Sequence, residues 1–242
     1  MSPTRRTAIT AGVFFLITEI AAIAGLVLYR PALTEADYVL GAGADSRVLL
    51  GGFLELVLVV AIIGTGVTLY PVVRPRHHSV ALGYLCLRLL EAAIIVVGIL
   101  AVLSVVTLRR DVAGTAGTDD AALVTAGRAL VALHDWAFLL GPNVALGANS
   151  LLLAYLLYRA RLVPRSIAVL GLIGGPLICA SATAVLFGLY EQVSVWGSVA
   201  ALPVFAWEVS LAAYLILRGF APAAATARQV PPEAVRVEPA AA

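Results

Sequence analysis

The sequence predicts an all-α, polytopic membrane protein: six transmembrane helices in a bundle, with both termini cytoplasmic. Three observations predict it. The chain is 62% hydrophobic and only 12% charged, with a mean hydropathy of +1.01. Its apolar residues fall in six long runs, each near or above the roughly 20 residues a helix needs to cross a hydrocarbon core about 30 Å thick. Its arginines alternate between the two ends of those runs. A strand barrel would instead show short alternating segments.

The runs cover residues 7–29, 48–70, 80–108, 129–158, 167–189 and 198–217. In the first, Arg5 and Arg6 precede an apolar stretch that passes Ala22-Ile23-Ala24, a sequence with the look of a cleavage site. The stretch continues to Tyr29, which is long enough to span, and Glu19 interrupts it. A retained span is therefore expected rather than a cleaved signal peptide. Removing it would leave five spans.

The second run carries Glu55. The third carries Arg88 and Glu91, three residues apart and so on one helical face. The fourth opens with His134-Asp135-Trp136, expected at the outer surface as an interfacial anchor. It is broken by Gly141-Pro142-Asn143 and carries Asn149 further on. Proline removes a backbone hydrogen bond and bends a helix. In the fifth run Gly171-x-x-x-Gly175, followed by Pro176, allows close approach of two backbones. The sixth has Glu208 near its middle.

Arginine counting sets the orientation. All the basic residues are Arg. Ten flank the runs on one side (Arg5, Arg6, Arg74, Arg76, Arg159, Arg161, Arg165, Arg218, Arg228 and Arg236) and five on the other (Arg30, Arg47, Arg109, Arg110 and Arg128). Acidic residues gather with the five. The positive-inside rule then places both termini in the cytoplasm. Residues 1–220 form the expected transmembrane domain. Residues 221–242, rich in Ala and Pro without apolar periodicity, form an expected disordered cytoplasmic tail.

A net charge of +2 gives no ground for nucleic-acid binding. Cys86 and Cys179 fall within spans and read as small buried apolar residues, too few for a zinc site. The pair His77-His78 is likewise too sparse for a metal, and no cofactor is implied. No phosphate-binding loop, H-E-x-x-H or G-x-S-x-G pattern occurs. The segment Tyr70–Gly83 resembles Tyr158–Gly171, each an inner helix end, a basic turn and the next helix start. This fits either a parallel repeat, as some transporters carry, or two ordinary cytoplasmic turns.

The intramembrane charges are the candidate site. A charge at mid-bilayer costs roughly 2.5–3.5 kcal/mol even on lenient insertion scales, so each needs a partner, a proton or a pore. Glu19, Glu55, Glu91 and Glu208 face a single cation, Arg88. These five, with Asn143 at the helix break, are the expected ligand- or ion-binding residues. A transport-like or small-ligand-binding role leads, with a small ligand or cation as partner beside the bilayer itself. A membrane enzyme using the same cluster is the second reading, and a non-catalytic structural or partner subunit, homo-oligomeric or not, is the third. Buried ion pairs can also fix helix register and do nothing else.

Several segments resemble the DUF4386 family. These are Leu133-His-Asp135-Trp136-Ala-Phe138-Leu-Leu-Gly141-Pro142, the basic turn Leu157-Tyr158-Arg159-Ala-Arg161-Leu-Val-Pro164-Arg165, and the ending Trp207-Glu208-Val…Leu217-Arg218-Gly219-Phe220. Leu69-Tyr70-Pro71 and Gly83-Tyr84…Arg88…Glu91 fit as well. His134 departs from the arginine expected before Asp-Trp. The resemblance covers roughly residues 5–220 and implies a bacterial multi-spanning membrane protein, with no reaction attached.

Overall fold

The computed structural model describes residues 2–35, 37–41, 45–112 and 119–221. All regular structure among them is helical. Six helices are long and apolar enough to cross a membrane. The first three are α1 (Pro3–Thr34), α2 (Asp45–Val73) and α3 (His78–Val112). The fourth runs from Asp120 to Ala160 in three pieces: α4 (Asp120–Leu139), a π-helical turn (Leu140–Ala145) and α5 (Leu146–Ala160). The last two are α6 (Arg165–Leu186) and α7 (Val195–Leu217).

Local chemistry explains the ends. Ser2 caps α1, its hydroxyl accepting from Arg5 N, with Pro3 at the first turn where no N–H is needed. Asp119 caps α4 by accepting from Ala121 N and Ala122 N. Ser194 caps α7 by accepting from Gly197 N over 3.2 Å. The chain leaves α5 through Arg161, which takes a left-handed conformation at φ 52°. It leaves α6 through Gly188 at φ 72°, a conformation that favours glycine.

Two expectations about boundaries and burial need correction. The fourth helix starts at Asp120, nine residues before the apolar run at Ala129. Its first turns mix Asp, Thr and Arg with Ala and Leu, which suits a helix emerging from lipid but hides it from an apolar window. Cys86 is exposed on α3 and Cys179 only partly buried, its Sγ 3.5 Å from the Val144 carbonyl. The tail expected to be disordered lies, beyond Ala221, outside the described residues.

The spans pack in chain order, and α7 returns to α1. Around Trp207, Phe15, Tyr84 and Leu153 lies a core from α1, α2, α3, α5, α6 and α7. Nearer the opposite end, Tyr29, Val48, Val102, Val105 and Leu123 form a second core between α1, α2, α3 and α4. Ile20, Val60, Leu100 and Leu202 are exposed on the outside of these spans, the arrangement expected where the solvent is lipid.

Each end is fastened. At the terminal end Arg5 donates to the carbonyls of Leu215, Ile216 and Leu217 over 3.1, 2.6 and 3.2 Å. A cation there complements the negative end of the α7 dipole. At the opposite end Asp45 pairs with Arg109, accepts from Arg110 Nε over 3.1 Å and accepts from the Tyr38 hydroxyl over 3.1 Å. Arg109 also lies over the Tyr38 ring at 5.1 Å.

Candidate functional site

Arg88 stands on the first half of α3, ten residues or about 15 Å from its start at His78. Its guanidinium bridges two carboxylates. Nη1 donates to Glu91 Oε2 over 3.1 Å, and Nη2 donates to Glu208 Oε1 on α7 over 2.7 Å. Asn149 on α5 donates from Nδ2 to the same Glu91 oxygen over 2.7 Å. Glu19 on α1 lies beside Glu208, within electrostatic reach of Arg88 and Glu91. The guanidinium carbon sits 5.2 Å from the Phe15 ring and 6.0 Å from the Tyr84 ring, distances at which a cation gains from a π face.

Four elements therefore meet at one buried polar network: α1, α3, α5 and α7. Arg88 is 1% exposed and Asn149 0%. Two polar atoms within it, Arg88 Nε and Asn149 Oδ1, have no hydrogen-bond partner among the described residues. A buried unpaired polar atom costs roughly 1–3 kcal/mol, so such atoms mark places where a small polar species would be welcome.

Glu55 belongs to a different group. It lies ten residues, about 15 Å, into α2 from the end opposite the termini. A Cβ on Gly25 would fall 2.8 Å from Glu55 Cγ, so the glycine makes room for this side chain against α1. His134 is an ionisable neighbour of it. The His134 ring meets Tyr29 edge-on at 5.9 Å and stacks on Phe138 at 6.2 Å, while Nδ1 lies 3.4 Å from Asp135 Oδ1. The Tyr29 hydroxyl is buried without a hydrogen-bond partner among the described residues.

His134 was expected at the membrane surface. It is 4% exposed, covered by neighbouring helices, and lies fourteen residues, about 21 Å, along α4 from Asp120. Asp135 and Trp136 beside it are exposed.

Asn143 stands apart from both groups. Its Nδ2 donates to the Phe138 carbonyl of its own helix over 3.0 Å, satisfying an acceptor within the fourth span near the proline. The amide that enters the Arg88 network is Asn149, which the sequence had flagged beside the helix break but had not placed at the site. Its signal was an amide within an apolar run, six residues beyond Asn143.

A crevice of about 780 Å³ opens between α1, α4 and the connection from α6 to α7, with His134 on its wall. Two smaller hollows lie at the same end. None of the three is lined by a residue of the Arg88 network.

Six spanning helices around buried charges define a multi-pass membrane protein. Residues 10–219 match the family described as domain of unknown function (DUF4386), and the chain belongs to that family. No curated protein and no solved structure matches the chain.

Proposed function

We propose a transport-like or small-ligand-binding role centred on Glu19, Arg88, Glu91, Glu208 and Asn149, with a proton or a small monovalent cation as the bound species. One observation carries this reading: a single guanidinium binds two carboxylates, with a third carboxyl beside them, inside a membrane protein. Fully ionised, three carboxylates and one guanidinium sum to −2. The interior of a bilayer protein does not sustain that sum, so protons or cations make up the difference. The unpartnered Arg88 Nε and Asn149 Oδ1 support a small polar occupant. Glu55 with His134 is a second ionisable group on the side of the crevice.

In this reading the six spans form one bundle in a bacterial cytoplasmic membrane. Both termini face the cytoplasm, as the ten-to-five division of arginines across the two ends supports.

Carbodiimide labelling tests the proposal. These reagents add to protonated carboxyls in apolar surroundings. Mass spectrometry of the labelled full-length protein in detergent at neutral pH is expected to find the adduct on Glu19, the network carboxyl outside the hydrogen bonds to Arg88. Sodium or potassium should reduce labelling if a cation is the occupant. Absence of any adduct on the three network carboxyls, with no cation effect on thermal stability, would sink it.

A structural reading has its own support: Arg88 is 1% exposed and the crevice does not reach it. Under that reading Glu208→Gln lowers expression and stability as much as Arg88→Ala does. Under the proposed reading Glu208→Gln keeps an acceptor for Arg88 and folds, while ion-linked behaviour is lost.

A further inference from the structure

We propose that the crevice between α1, α4 and the α6–α7 connection is a seat for one zwitterionic phospholipid carrying a primary ammonium. Its phosphate lies beside Arg30, and its ammonium between Asp135 and Glu191. This site is separate from the Arg88 network and does not depend on its function.

The volume, about 780 Å³, falls in the roughly 300–1,000 Å³ range of ligand pockets. Along α1 and α4 its lining changes from apolar to charged toward this end, and Leu33 and Val193 add apolar surface near the mouth. Leu26 and Val27 of α1 lie about one turn deeper than Arg30, since α1 ends at Thr34 at this end of the molecule. On α4, which runs inward from Asp120, Phe138 and Leu139 likewise lie about one turn deeper than His134 and Asp135. Deep apolar walls beneath a polar rim suit a molecule with a hydrocarbon chain and a head group, oriented as the surrounding lipids are.

The charges at the rim are available. Among the described residues, Arg30 and Glu191 form no salt bridge and no side-chain hydrogen bond. Asp135 has only its long contact with His134. One cation and two carboxylates in one crevice match a head group holding both signs. A guanidinium binds phosphate through charge-assisted hydrogen bonds. Carboxylates accept N–H donors from a primary ammonium, which a quaternary ammonium lacks. Recognition of a quaternary ammonium uses a cage of aromatic rings, whereas two of the three rings on this wall, His134 and Phe138, are stacked on each other.

The experiment uses the full-length protein, stripped of lipid in mild detergent. Dioleoyl phosphatidylethanolamine, phosphatidylcholine and phosphatidylglycerol are then added back separately. Thermal stability and native mass spectrometry are read for the wild type, Arg30→Gln, Asp135→Asn and Val27→Trp. The expected result is one tightly held phosphatidylethanolamine per chain, stabilising at lower concentration than the other two lipids. Arg30→Gln should weaken it about tenfold or more, as loss of a charged hydrogen bond implies. Val27→Trp fills the crevice without changing its charges and should abolish the bound lipid. Equal stabilisation by all three lipids, or an unchanged ethanolamine preference in Val27→Trp, overturns the proposal and leaves only ordinary surrounding lipid.

Discussion

Arg88 Nη2 lies 2.7 Å from Glu208 Oε1 and so joins α3 to α7 across 120 residues of chain. The same guanidinium holds Glu91 one turn along its own helix, and Glu91 holds Asn149 on α5. One cation is thus the hub of contacts between three spans. Removing it leaves buried carboxylates with no counter-charge.

Replacing Arg88 with Met is accordingly expected to cost about 3–5 kcal/mol, the range for breaking a buried pair from one side. The triple variant Arg88→Met, Glu91→Gln, Glu208→Gln removes the stranded charges and should recover most of that loss. Unfolding in mixed micelles reads both. A single variant as stable as the wild type would mean that the carboxyls are already neutralised without Arg88.

Glu19 gives a sharper contrast. It sits beside Glu208 but is not in contact with the guanidinium through any hydrogen bond of the network. Glu19→Gln removes one negative charge from a site with too many, and its amide can still donate to Glu208. Thermal stability should stay the same or rise, whereas Arg88→Met falls. A loss comparable to that of Arg88→Met would show that Glu19 works as an anion paired with Arg88.

The two amides of the fourth span separate in the same way. Asn149→Leu removes a donor from buried Glu91 and should cost about 1–3 kcal/mol. Asn143→Leu removes a bond within its own helix at a partly exposed position and should cost less than half as much. Circular dichroism melts of the two variants decide between them.

That pair also shows how far the sequence could be read. The six spans were legible because an apolar run of the right length has few other uses, and the alternating arginines followed the same pattern. Which polar residues meet was less legible. From Asn143 to Asn149 an α-helix would turn about 600°, at 100° per residue. The π-helical turn at Leu140–Ala145 changes that phase, and nothing in Gly-Pro-Asn states by how much. Glu55 failed as a member of the Arg88 network for a simpler reason. It is about 15 Å from one end of its span, and Arg88 is about 15 Å from the opposite end of its own. Once α2 extends from Asp45 to Val73 and α3 from His78 to Val112, the two lie at different depths.

Close packing around α6 yields a further prediction. A Cβ on Gly174 would come 2.7 Å from Val204 N, and one on Gly175 would come 2.6 Å from the Gly147 carbonyl oxygen. Both clashes are with backbone, which cannot rotate away. Gly174→Ala and Gly175→Ala should each destabilise by about 1–3 kcal/mol, the usual cost of overpacking. Gly98 is the control. Its Cβ would meet Ala137 Cβ at 3.4 Å, close to ordinary contact, and alanine favours a helix by up to about 1 kcal/mol. If Gly175→Ala melted with Gly98→Ala, α5 and α6 would not approach as closely as these distances require.

The clasp at the opposite end supplies a pH dependence outside the spans. Burial raises the Tyr38 phenol above its ordinary value of 10.0. Its bond with Arg109 opposes the rise, and the Asp45 carboxylate adds to it. The folded state therefore favours the neutral phenol. Its contribution is fully present below the ordinary pKa and is lost as pH rises through the higher folded value. The melting temperature of the wild type should fall from about pH 10 upward. Tyr38→Phe has no proton to lose there and should show a shallower fall, despite starting lower for want of the hydrogen bond to Asp45. Parallel slopes in the two proteins would place the alkaline sensitivity at another group.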